Sequence, residues 1–140
     1  MNEQYKQVIV SLYNDLSLTP PSIEKVISLQ VGEQVVHITE YPQGQLLMFS
    51  DIGLLDNFNL TALLKLNMFS QLVCKPVVGF DEHSNNAVVW SRQKLMQCDS
   101  NNAYQQLDSL SQVIDVAIES VHKMALNTVI SNFDPKHFRV

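Results

Sequence analysis

The chain has 140 residues, 46% of them apolar and only 16% charged, with a formal net charge of −5 and an isoelectric point near 5.2. A chain of this length fits one domain that buries roughly two-thirds of its unfolded surface without needing a metal or a disulfide. The acidic balance argues against a nucleic-acid partner, which calls for a basic face that displaces counterions, and the low charged fraction leaves apolar surface free for a protein partner.

The first residues, MNEQYKQVIVSLYNDL, lack the basic start and unbroken apolar core of a signal peptide. No apolar run approaches the roughly 20 residues that span a bilayer. The expectation is a soluble protein without membrane insertion that stays in the compartment where it is made. Residues 3–17 read as an amphipathic helix, because Tyr5, Val8, Ile9, Leu12, Tyr13 and Leu16 recur at three- and four-residue spacing. Pro20-Pro21 then excludes further helix. Residues 23–52 change period: Ile27, Leu29 and Val31 alternate with polar residues, Gly32-Glu33 turns the chain, and Val36 and Ile38 flank His37. A second turn at Tyr41 to Gly44 leads into Leu46 to Phe49, so three strands form an antiparallel meander.

The helical period returns from Leu60 to Phe69, with Asn57 or Asn59 as N-cap and apolar side chains on nearly every side. Such a helix must be covered by its own core or by a second subunit. Val77 to Phe80 and Ala87 to Arg92, separated by the polar turn Asp81 to Asn86, read as a hairpin. Asp99 or Ser100 caps a long last helix whose apolar positions are Ala103, Leu107, Leu110, Ile114, Ala117, Val121 and Met124, widened by Val113 and Ile118. The expected order is α-β-β-β-α-β-β-α. Clustered strands of this kind point to an α+β fold with a twisted antiparallel sheet packed by helices. Residues 1–126 form the domain, and 127–140 are left as a C-terminal tail of unassigned role.

A search for chemistry returns little. Cys74 and Cys98 have no CxxC spacing and read as reduced cytosolic thiols. The histidines His37, His83, His122 and His137 share no ligand spacing with one another or with a cysteine, so no metal site is expected. Leu-Val-Cys74-Lys-Pro has no nucleophile-elbow signature. Four unclustered glycines give no phosphate cradle. Asp81-Glu82 are explained by a solvated turn. The chain is expected to have no cofactor and not to be an enzyme.

The order of these elements, with the stretch LLMFSDIGLLDNFNLTALLKLNMF from Leu46 to Phe69, resembles the effector-serving type III secretion chaperones of the CesT-like (Tir chaperone, class I) family. Their helix of the form Leu-x-x-Leu-Leu-x-x-Asn-x-Phe matches Leu60, Leu63, Leu64, Asn67 and Phe69. Gly79 to Asp81 and the strand Val88 to Trp90 follow in the family's order, and the likeness covers about residues 1–125. It departs around Leu55-Asp56, where the family has a proline after the third strand, and it does not speak to the tail.

The resemblance implies a non-enzymatic, cytoplasmic bacterial homodimer that binds the N-terminal region of secreted effector proteins and keeps it partly extended. It also implies contact with the secretion ATPase or sorting platform. A regulatory protein on the same scaffold, sequestering a transcription factor or an apparatus component, is the alternative. Two peptide-recognition modes suit the elements. An extended client adds to the edge of the first strand, at Val26, Ile27, Leu29 and Val31, or an apolar client segment lies in a groove lined by Val8, Leu12, Leu16 and Ile23. The second helix is the expected dimer interface, with Leu60, Leu63, Leu64 and Met68 meeting their two-fold mates beside Trp90.

Overall fold

The computed structural model describes residues 2–72 and 74–133, with side chains described at 2–72, 74–99 and 101–120. Helix α1 runs over Glu3–Asp15 and starts at Asn2, whose side-chain oxygen accepts from the Gln4 N–H at 2.8 Å. Strands β1 (Val26–Val31), β2 (Gln34–Glu40) and β3 (Gln45–Leu54) follow. A 3-10 turn at Leu55–Asn57 leads to α2 (Leu60–Leu66), then β4 (Val77–Asp81), β5 (Asn86–Lys94), a second 3-10 turn at Leu95–Gln97, and α3 (Ser100–Phe133). The expected order holds. The five strands form one antiparallel sheet in the order β1-β2-β3-β5-β4, so the meander and the hairpin join through β3 and β5 and leave β1 and β4 at the edges.

The two-residue period of the strands decides which face is covered. Ile27, Leu29, Val36, Ile38, Leu46, Met48 and Val89 point to one face, where α1 and α3 bury them with Tyr5, Ile9, Leu12, Leu110 and Ile114. At about 1.5–3 kcal/mol for each large apolar side chain removed from water, this layer dominates the driving force for folding. Polar groups inside it are paired. The wholly buried Gln106 of α3 donates from its amide to the carbonyls of Leu46 and Ser91 (3.2 and 3.1 Å) and accepts from the Gln93 amide at 2.7 Å. That clamp ties α3 to β3 and β5. Tyr5 donates its hydroxyl to the Ile38 carbonyl at 3.2 Å, and burial pushes its pKa up to about 12.

Three boundaries differ from the sequence reading. β3 extends to Leu54 because a bulge at Ile52, between Asp51 and Gly53, absorbs an extra residue. Gly53 has φ +113°, open to glycine and strained for other residues, and Asp51 accepts its N–H at 2.9 Å. α2 stops at Leu66, short of Phe69, with Asn67 as C-cap. α3 continues to Phe133, so the expected limit at 126 falls within a helix. Val121, His122 and Met124 lie outside the described side chains, and His137 lies outside the described residues. Where the family has its proline, the Leu55–Asn57 turn is closed by Phe58 N–H to Leu55 O (3.0 Å) and Leu55 N–H to Asn85 O (2.9 Å).

Candidate peptide-binding and pairing surfaces

The uncovered face of the sheet carries a cross-strand row of Ser28, His37, Phe49, Trp90 and Val77, set by the registers of four adjacent strand pairs. His37 is satisfied locally: its Nδ1 lies 2.8 Å from the Ser28 hydroxyl, and its ring centroid is 5.1 Å from that of Phe49. Tyr41, Leu47, Phe49, Val88, Trp90 and Arg92 line an open depression of about 420 Å³ on this face. The Arg92 guanidinium stands 5.2 Å from the Trp90 ring centroid, within cation–π range. Gly79, diagonal to Trp90 on β4, makes room for the indole. A Cβ at that position would lie 3.3 Å from Trp90 Nε1, tighter than ordinary contact.

α2 is positioned by Asn59, which accepts the Ala62 N–H at 3.2 Å, and by Leu63, which packs with Phe58, Ala87 and Ala117 in a small satellite core. Seven residues make two turns, so one stripe faces inward and the rest faces out. Leu63 is 3% exposed, whereas its neighbour Leu64 is 59% exposed, and Leu60 and Met68 are likewise more than half exposed. Leu55, Leu60, Leu64, Val78 and Phe80 border a cleft of about 160 Å³ between α2 and β4. Beyond the helix end, Met68 and the 90% exposed Phe69 border a second cleft, of about 340 Å³, against Val113 and Val116 of α3. Contiguous exposed apolar side chains on this scale mark interaction surfaces.

The sequence-nominated residues therefore separate into two groups. Val8, Leu12, Ile27 and Leu29 are buried in the monomer core, where α3 packs beside α1; of the four, Val8 also borders a shallow depression of about 270 Å³ with Gln4, Ser11 and Cys98. Leu63 is likewise internal. Leu16, Ile23 and Val31 are half-buried at the core margin, and Val26 is exposed. β1 does stand at a sheet edge, as expected. Trp90 is half-buried on the open face. Sequence reasoning overlooked Leu47, Phe49 and Tyr41 as its companions; the alternation of Leu47 and Phe49 with the buried Leu46 and Met48 was the available signal.

The shifted titrations at the two cysteines and at Asp81 have local causes. Burial raises the pKa of both thiols, Cys98 to about 11 with Cys74 and Asp99 adding to the effect, so neither is a poised nucleophile. The Asp81 carboxyl is held below its usual range by the His83 N–H, with help from the Ser84 hydroxyl, which is turn geometry. Among the described residues no cluster of His, Cys, Asp and Glu could hold a metal ion, and no helix is long and apolar enough to cross a membrane.

The model of the Tir chaperone protein (CesT) family matches residues 7–132. The chain is 44% identical over 109 residues to the YopE regulator of Yersinia enterocolitica and to that of Yersinia pestis, covering 77% of this chain and 84% of each relative. Among solved structures, the ExoT–SpcS complex of Pseudomonas aeruginosa superposes with a TM-score of 0.74 at 35% identity, over 82% of this chain and 97% of that one. The Yersinia pestis type III secretion chaperone SycH, solved with a fragment of YscM2, shares the fold with a TM-score of 0.67 at 19% identity, over 83% and 98% of the two chains.

Proposed function

This chain belongs to the Tir chaperone (CesT) family, and from that premise we propose that it is a cytoplasmic type III secretion chaperone holding the N-terminal segment of a secreted effector in a partly extended form. The observation that carries the client-binding mode is the position of β1, a six-residue strand at the sheet margin that hydrogen-bonds to β2 alone. An edge strand presents a row of N–H and C=O groups, and an extended client pairs with them while its alternate side chains meet Val26, Val31, Ile23 and Leu16. No bond is made or broken in this activity, and it needs no cofactor.

A second copy of the chain covers the α2 side. Leu60, Leu64 and Met68 meet their two-fold mates, with Trp90 on the adjoining sheet face, and Leu63 supports the helix from inside. An isologous contact needs only one such apolar patch. The dimer then offers two β1 edges to one client chain, and the loaded complex is what a secretion ATPase or sorting platform receives.

Co-purification from the native bacterium tests the reading. An exported protein is expected to be recovered with the chain and to be lost when its first ~100 residues are removed, a length on the scale that a domain-sized surface wraps. Recovery of a transcription factor or apparatus component in its place would favour the regulatory alternative. The double change Ile23→Asp and Val26→Asp should weaken capture about tenfold or more while leaving the dimer intact. Unchanged capture would remove β1 from the site.

A further inference from the structure

The sheet has two edges, and they are treated differently. The outer edge of β4 is closed by a side chain. The Asn67 carboxamide accepts the Val78 N–H at 2.6 Å through Oδ1 and donates from Nδ2 to the Val78 carbonyl at 3.1 Å. One amide thus satisfies both backbone groups of one residue, as a neighbouring strand would. By the two-residue alternation of a strand, the outward-facing backbone positions along this segment are 76, 78 and 80. Position 76 is a proline and has no N–H to offer. Position 78 is occupied by Asn67. Only Phe80 keeps both groups free, and one residue is too little to hold an added strand.

Among the described residues β1 has no such closure. Its six residues, VISLQV, include no proline, and no second strand pairs with it. Short edges, prolines and occupied backbone groups are the means by which sheets avoid adventitious pairing. Here they fall on one margin only.

We propose that Asn67 is a strand-edge plug: together with Pro76 it bars β4 from strand addition and confines the capture of extended chains to the β1 margin. The confinement to β1 rests on the client-binding mode proposed above; the plug itself does not. It follows that the α2–β4 side pairs through side chains, and that two copies of the chain do not join their β4 strands into one continuous sheet. Asn67 acts as a positioning residue, since its role is to decide where a client chain registers and not to hold the client.

The test uses the full-length protein, the variants Asn67→Ala and Asn67→Asp, and a synthetic Lys-(Thr-Val)3-Lys peptide as the extended probe. In the free protein, exchange of the Val78 amide hydrogen should accelerate about tenfold or more in Asn67→Ala. In Asn67→Asp, which keeps an acceptor for that N–H but loses the donor to the Val78 carbonyl, it should stay slow. Titration should give one peptide per protomer for the natural sequence and two for Asn67→Ala. Exchange at Val78 unchanged in Asn67→Ala overturns the plug, as does the natural protein binding two peptides per protomer. If Asn67→Ala loses its fold, a fast-exchanging Val78 amide in the natural protein overturns the plug and a slow one upholds it. If the natural protein binds no peptide while Asn67→Ala exchanges fast at Val78, the plug stands and the β1 capture mode falls.

Discussion

Helices α1 and α2 are both short and rich in large apolar residues, yet the fold treats them oppositely. α1 lies against the sheet and α3 together, and its Tyr5, Val8, Ile9, Leu12 and Tyr13 are all buried. α2 packs mainly on α3 and the edge strand β4, reaches Ala87 of β5 through Leu63, and buries Leu63 alone. The same kind of stripe is a core in one place and a surface in the other. Whether a leucine is sealed depends on how many neighbours the topology brings to it, and a sheet margin supplies fewer than a sheet centre. The closed side gives the molecule its stability; the open side and the bare β1 edge are where association can occur.

The strongest test of this contrast is Leu12→Asp. Leu12 has no exposed surface, so the change puts an uncompensated charge into a dry core and should cost roughly 4 kcal/mol or more. The protein should lose its cooperative urea transition or fail to accumulate. A folded Leu12→Asp protein that had merely lost its client would reopen the groove that the sequence suggested. A finer test sits on adjacent residues. Leu63→Ala should lower stability by about 2–4 kcal/mol in urea unfolding at low protein concentration, and Leu64→Ala by less than about 0.5 kcal/mol. In light scattering the order should reverse: Leu64→Asp should shift the dimer towards monomer. Equal costs at 63 and 64 would mean that the two faces of α2 do not differ as described.

Element order was legible because each signal is local. Pro20-Pro21 ends α1, the alternation around His37 sets β2, and Asn59 and Asp99 are capping residues at the starts of α2 and α3, Asp99 accepting the Asn102 N–H at 2.7 Å. The site was legible only in part. Periodicity identifies Leu12 and Leu64 as equally apolar, but burial depends on α3 lying beside α1, a contact about 100 residues away in sequence. Gln106 has no local signal at all, since its partners Leu46 and Ser91 belong to two strands joined only in the folded sheet. Asn67 could be read as part of a helix motif, while the strand it occupies begins ten residues later.

Gln106 sharpens the closed side. Replacing it with leucine keeps the volume but leaves the Leu46 and Ser91 carbonyls without their shared donor and removes one of the two acceptors of the Gln93 amide, which keeps the Asn102 carbonyl. A loss of roughly 1–3 kcal/mol is expected in denaturant unfolding, with client capture unaffected in complexes assembled well below the midpoint. A neutral substitution would show that water reaches this clamp and that the layer under α3 is less sealed than the α1 side.

The smallest effect concerns the protons held on the closed side. Burial raises Cys98 from its ordinary 9.0 to about 11, with Cys74 and Asp99 adding to it, and raises Tyr5 from 10.0 to about 12. Both groups are neutral when protonated, and both have folded pKa values above their unfolded ones. Their contribution to stability is therefore complete below about pH 9 and is lost as pH rises from there through 11 and 12. The urea midpoint should be flat from pH 7 to 9 and fall above it. Replacing Cys98 with alanine should lessen the earlier part of that fall, to which the Cys74 thiol also contributes, and leave the later part, to which Tyr5 and Tyr13 contribute. Alkylation gives an independent reading: Cys98 should react about tenfold or more slower than an unhindered thiol at pH 8, because so little of it is thiolate. Rapid labelling at that pH, with the protein still folded, would mean that the half-buried thiol is reached from the depression it shares with Gln4, Val8 and Ser11 of α1 and that burial does not hold its proton in place.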